Sequence, residues 1–184
     1  MENKDFEPEL VRFLKVGIRQ YQAKSFNLDF VQKQGFTVAN LLTYSYHPDN
    51  QVSFRAAWLL EHICLQQPAL IVPLYNTFLT ELSKQKHWGT IRSYTKIAML
   101  ATDLKTAIPQ THVQEKILVE QAFNWLIDPK CPVAILVNCL DILCNLRTNN
   151  PWITAELKEQ IHHLLKKPTP ALASRAKRVL KKID

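Results

Sequence analysis

Glycine is scarce: only Gly17, Gly35 and Gly89 occur in 184 residues. That excludes a glycine-rich phosphate loop and argues against a β-rich fold full of tight turns. The four cysteines, Cys64, Cys131, Cys139 and Cys144, form no CxxC pair, so they read as core thiols and not as a metal or disulfide set. The stretch from Met1 to Asp5 is polar, with no signal-type apolar run, and no segment approaches the length of a membrane span. These absences lead us to expect a reducing, cytoplasmic setting and no membrane partner. A nucleophile elbow, a Walker loop and an HExxH pair are missing too. His162 and His163 follow Glu159, but neighbouring helical residues diverge by about 100°, so the two imidazoles do not readily share one ion. The sequence therefore predicts no catalytic, metal or cofactor-binding residues.

What is present is apolar and periodic. Hydrophobic residues make up 47% of the chain, enough for a sizeable core in one domain. Ten prolines fall mostly between the periodic stretches, where they end or begin helices. One phrase recurs. Pro48, Val52, Arg55, Ala56, Leu59, Leu60 and Ile63 return 120 positions later as Pro168, Leu172, Arg175, Ala176, Val179, Leu180 and Ile183. A weaker copy starts at Pro129, with Val133, Val137, Leu140 and Cys144 in register, although Leu136 replaces the arginine and Asp141 breaks an apolar position. A third copy is eroded. Arg92, Ile97 and Leu100 align, but Gly89 and Lys96 stand where apolar residues should.

The apolar spacing is helical from residue 36 onward. Helices are expected near 36–46, 51–66, 69–84, 88–103, 112–127, 132–149, 154–166 and 170–183. They form four antiparallel pairs, 36–66, 69–103, 112–149 and 154–183, at a period near 40 residues. Residues 1–35 are less regular. Leu10, Leu14, Gly17, Ile18 and Tyr21 mark one helix face, and Asn27 caps a second short helix that Gly35 interrupts. This stretch is read as an N-terminal cap that closes the first pair.

Three phrases carry a resemblance: Arg55-Ala56-Ala57-Trp58-Leu59-Leu60-Glu61, Asp128-Pro129-x-x-Pro132-Val133-Ala134, and Ser174-Arg175-x-x-x-Val179-Leu180. Together with the period they resemble HEAT-like repeats of the HEAT and armadillo class, and their order is similar to short, stand-alone bacterial proteins of that type. The resemblance implies an all-α, right-handed superhelix, an α-solenoid of about four helix pairs with an N-terminal helical cap. It implies no chemistry. Deoxyhypusine hydroxylases, which resemble HEAT arrays, place His-Glu dipeptides on helices, whereas only the reversed Glu61-His62 occurs here. Adenylosuccinate lyases use a Ser-Ser-x-x-Met-x-x-Lys loop, and this chain has no Ser-Ser pair.

Charge is the remaining signal. Of the formal +7, residues 158–184 carry eight bases and two acids. Lys166, Lys167, Arg175, Lys177, Arg178, Lys181 and Lys182 read either as a solvated end cap or as a footprint for phosphates or an acidic surface. Phe54, Trp58, Glu61, His62 and Leu65 form a second stripe on their helix, for packing or for a ligand groove. Trp88 and Trp152 stand at helix starts, where aromatics staple a turn or anchor a partner. Arg55, Arg92 and Arg175 recur at one position of the unit and are expected to link neighbouring repeats. The expected function is a non-catalytic scaffold binding a protein partner on its concave face. A nucleic-acid-binding module using the basic C-terminal unit is second, and a HEAT-like DNA repair enzyme third.

Overall fold

The computed structural model describes residues 6–106 and 108–184, so residues 1–5 of the expected cap lie outside the described residues. Ten α-helices are found among them: α1 (Pro8–Lys15), α2 (Leu28–Lys33), α3 (Val38–Tyr44), α4 (Asn50–Gln66), α5 (Tyr75–Leu82), α6 (Trp88–Thr102), α7 (His112–Ile127), α8 (Val133–Leu146), α9 (Ile153–Leu164) and α10 (Pro170–Ile183). Local chemistry sets their starts. Asn27 accepts a hydrogen bond from the Phe30 amide, and Thr37 with Asn40, and Thr111 with Gln114, form reciprocal capping boxes. Gly35 closes α2 at φ 84°, a left-handed conformation that a side chain would strain.

The helices pack in two rows. α4, α6, α8 and α10 stack on one another as an inner row, while α3, α5, α7 and α9 lie behind as an outer row. α1 packs on α4 where a preceding inner helix would stand, so the N-terminal segment extends the stack. The fold is an all-α repeat solenoid. Its core runs between the rows, through Leu41, Leu60, Ile97, Leu140, Leu157 and Val179, all fully buried. Among the described residues no helix is long and apolar enough to cross a membrane.

Two expectations fail for local reasons. The helix expected at 69–84 divides into a 3-10 segment, Pro68–Leu74, and α5, because Pro73 has no N–H to give an α-helical ladder. In the cap, α1 ends at Lys15 and 3-10 turns follow at Gly17–Gln20 and Ala23–Ser25. That shift in phase leaves Leu10, Leu14 and Ile18 buried but turns Tyr21 outward, 41% exposed.

All four cysteines are free and buried. Burial raises the Cys64 thiol to about 12, and does the same for Cys131 with help from Asp128. Native protein is therefore expected to leave a thiol reagent such as DTNB unreacted at pH 8, and all four thiols are expected to titrate once guanidinium unfolds the chain.

Asp49 caps α4, accepting from the amides of Gln51 at 2.8 Å and Val52 at 3.2 Å, and Lys15 Nζ lies 2.6 Å from its other oxygen. The Lys15 ammonium, ahead of the backbone amides, lowers its carboxyl below the ordinary range. A lowered native value means stabilisation present above about pH 4 and lost as the pH falls through that value. Asp49→Ala is expected to cost about 1 kcal/mol at pH 7, and its deficit should shrink in urea melts run progressively below pH 4.

Candidate partner-binding face

Polar side chains cross-link the inner row from helix to helix. From α4 to α6, the Ser53 and Thr90 hydroxyls share a bond at 2.9 Å, Ser93 Oγ donates to Glu61 Oε2 at 2.7 Å, and Lys96 Nζ lies 2.7 Å from Glu61 Oε1. From α6 to α8, Asn138 Nδ2 donates to Thr95 Oγ1 at 3.0 Å and Asn145 Nδ2 to Thr102 Oγ1 at 3.2 Å. From α8 to α10, Arg175 pairs with Asp141, Arg178 Nη2 meets both Asp141 oxygens at 3.0 Å, and Arg147 Nη2 donates to the Lys182 carbonyl at 3.0 Å. At the other end, Arg55 Nη1 donates at 2.6 Å to the carbonyls of Leu14 and Lys15, and Gln66 Nε2 reaches the Phe26 carbonyl at 2.7 Å. Burial lowers both the Arg55 and Arg175 guanidinium values from the ordinary one, with a neighbouring arginine adding to the effect in each case.

The recurring arginines thus differ in what they touch. Arg55 binds backbone carbonyls of the cap and Arg175 binds the acid of the preceding unit, but Arg92 has no side-chain partner among the described residues. The inter-repeat link expected of Arg92 is made instead one turn further on, where Lys96 and Ser93 already occupy the carboxylate of Glu61. Lys96 and Asp141, which looked like breaks in the repeat, are half of two of its cross-links.

The face of the inner row turned away from the outer helices is open. On α4 it carries Phe54 and Trp58, half-buried and stacked at 6.2 Å with planes 7° apart, and Leu65, 41% exposed. Trp58 meets Phe26 edge-on at 5.0 Å and His62 at 5.3 Å. Glu61 has left the stripe to which its spacing assigned it. It is 2% exposed and turned toward α6. Gly89 faces Phe54 at the start of α6, where a Cβ would come within 2.9 Å of the ring, so the missing apolar residue there makes room for an aromatic. His62 is held below its ordinary value chiefly by burial, reinforced by Lys96 and opposed by Glu61, so the imidazole is neutral at pH 7. Along α6, Arg92, Lys96 and Met99 follow one line at spacings of four and three, each half-buried.

The structure scatters the C-terminal base cluster. Lys166 and Lys167 are exposed just before α10, while Lys181 and Lys182 are exposed in its last turn, roughly 20 Å further along the axis at 1.5 Å per residue. Arg175 and Arg178 lie between them, committed to Asp141, and Lys177 lies there too, exposed. The other singled-out aromatics have local partners: Trp152 stacks on Phe123 at 5.8 Å, and Trp88 packs against the core. His162 and His163 are exposed on α9, and no group of potential metal ligands forms among the described residues.

Sequence reasoning did not single out Glu115. It sits in the first turn of α7, where a helix N-terminus favours an acid, and is 7% exposed. Asn149 and Asn150 donate to its two oxygens at 2.7 and 3.1 Å. It lines a cavity of about 250 Å³ with Thr102, Gln110 and Asn145 at the ends of α6 and α8. A second hollow, about 340 Å³, lies on α1 beside Arg12 and Phe13. In the first, the Thr102 hydroxyl donates to the Ala98 and Met99 carbonyls at 3.0 and 3.1 Å.

Comparison with known proteins agrees with this architecture. Residues 10–183 match the family described as HEAT repeat domain. Among solved structures, a designed armadillo repeat protein, YIII(Dq.V1)4CPAF in complex with peptide (KR)4, is similar at a TM-score of 0.57 and 13% identity, over 95% of this chain and 80% of that one. A second, YIII(Dq)4CqI, is similar at 0.55 and 14%, over 95% and 81%. At such identities the likeness shows the fold alone. A search among curated proteins finds no match.

Proposed function

We propose that this chain, which belongs to the HEAT repeat family, is a non-catalytic scaffold that binds a protein segment along the open face of its inner row. One observation carries the reading: Phe54, Trp58, Leu65 and Met99 are only partly covered on the same face as Arg92, whose guanidinium has no partner among the described residues. Aromatic anchors beside an unengaged arginine are what protein recognition uses. The solved armadillo design named with a peptide has the same kind of stacked helices, and a face of that form suits an extended chain better than a small substrate. The free, buried thiols fit a reducing cytoplasmic setting. A nucleic-acid module based on the C-terminal unit is less favoured, because two of its arginines already share a carboxylate and its remaining lysines are spread from Lys166 before α10 through Lys177 to Lys182 in its last turn.

The test is peptide display on the full chain, panned in parallel against the wild type and Trp58→Ala. Peptides enriched on the wild type and lost on the variant are expected, with circular dichroism confirming that the variant stays helical. Failure to enrich any peptide, or enrichment indifferent to Trp58 and to further substitutions at Phe54 and Arg92, would sink the reading.

A further inference from the structure

The two rows carry opposite charge. Helices α4, α6, α8 and α10 together hold eight bases, Arg55, Arg92, Lys96, Arg175, Lys177, Arg178, Lys181 and Lys182, against two acids, Glu61 and Asp141. The outer helices α3, α5, α7 and α9 hold five acids, Glu81, Glu115, Glu120, Glu156 and Glu159, against two bases, Lys116 and Lys158. Five of the eight inner-row bases are on α10, and Arg92 and Lys96 on α6 extend the positive charge along the same row. Both inner-row acids are also withdrawn from any partner. Glu61 is 2% exposed between Ser93 and Lys96, and Asp141 is 9% exposed beneath two arginines. The open face offers cations and apolar surface, and no carboxylate from its own helices.

These features are ordered along the stack. The aromatic and apolar groups Phe54, Trp58 and Leu65 lie on α4, Arg92 and Lys96 on α6, and Arg178 and Lys182 on α10. Packed helices sit about 8–10 Å apart, so α4 to α10 spans roughly 25–30 Å, the length of about eight or nine extended residues. We infer that the occupant is an extended acidic peptide segment, apolar at the end lying on α4 and carrying its carboxylates over α6 to α10. This rests on the protein-scaffold reading and gives it a partner of stated chemistry. A nucleic acid fits less well. The Phe54 and Trp58 rings stack on each other instead of standing apart to receive bases.

Fluorescence anisotropy of labelled nine-residue peptides on the full chain tests this. One peptide has an aromatic and aliphatic first third followed by Asp and Glu; in two counterparts Gln or Lys replaces the acids; a single-stranded oligothymidylate is the fourth probe. The acidic peptide is expected to bind at least about tenfold more tightly than the Gln form, and the Lys form not to bind. Arg92→Glu with Lys182→Glu should weaken the acidic peptide at least about tenfold and leave the Gln form unchanged. Neither side chain has a partner among the described residues, so the variant keeps its fold, which circular dichroism checks. Equal affinity for the acidic and Gln forms, both dependent on Trp58, would overturn the acidic partner while sustaining the scaffold. Tighter binding of the Lys form, or no effect of the double substitution, overturns the charge argument. Oligothymidylate binding that exceeds the acidic peptide and is lost in the same variant transfers the face to nucleic acid. Absence of binding by all four overturns the inference, and peptide display then decides the scaffold reading separately.

Discussion

Lys96→Met is expected to lower the unfolding free energy by about 3 kcal/mol, the lower end for breaking a buried pair, because the lysine is itself partly exposed. The loss comes from what stays behind. The Glu61 side chain is 3% exposed, and without the ammonium its carboxylate keeps only the Ser93 hydroxyl. The neutralised pair distinguishes this from a simple packing change: adding Glu61→Gln to Lys96→Met removes the stranded charge and leaves an amide oxygen for Ser93. The double variant should recover more than half of the loss. Guanidinium denaturation of the four proteins gives the coupling directly, and it is expected to be at least about 1.5 kcal/mol. Single variants within about 0.5 kcal/mol of the wild type would show that the α4–α6 seam is held by its apolar contacts alone.

Arg55→Ala is expected to cost about 2 kcal/mol and to act on one part of the molecule. Its guanidinium caps the carbonyls of Leu14 and Lys15 at the end of α1, groups that have no partner within their own helix. A cation at a helix C-terminus also gains from the helix dipole. Without it, α1 and the turns after it should open more readily while the stack behind persists. Native-state hydrogen exchange is the measurement: α1 amides should lose protection by a factor of ten or more, with α8 amides changed much less. Uniform loss of protection in α1 and α8 would mean that the cap and the stack open as one unit. An unchanged melting temperature would remove the linking role altogether.

The parts of the fold legible in one sequence are those set by local period. The recurring Pro-to-Ile phrase placed Val52, Ala56, Leu59, Leu60 and Ile63 in the core, and all five are buried. Its last copy does the same with Leu172, Ala176, Val179 and Ile183, while Leu180 is only half-buried. What period could not show was the use of its own exceptions. Asp141 interrupts an apolar position only until α10 is seen to bring two arginines to it from 34 and 37 residues away. Lys96 and Gly89 likewise spoil the second copy in one dimension, yet in three they complete Glu61 and seat Phe54. The base cluster is likewise only part of the charge that shares its row in space. Counted along the chain it belongs to the last unit, but folding brings Arg55, Arg92 and Lys96 into the same row. Stripe assignments on α4 were blurred because Glu61 and Trp58 are near in angle but face a neighbouring helix and the open side respectively.

The ladder of polar bonds has a mechanical corollary. Each rung joins helices one unit apart, and those reaching furthest in sequence, Asn138 to Thr95 and Asn145 to Thr102, connect residues only 43 positions apart. Tension applied along the array would therefore load the rungs in series, with no strap among the described residues to span it. Stretched in an optical trap, such a chain yields a pair at a time, from whichever end is weaker, and each event pays out roughly 140 Å of contour for about 40 residues.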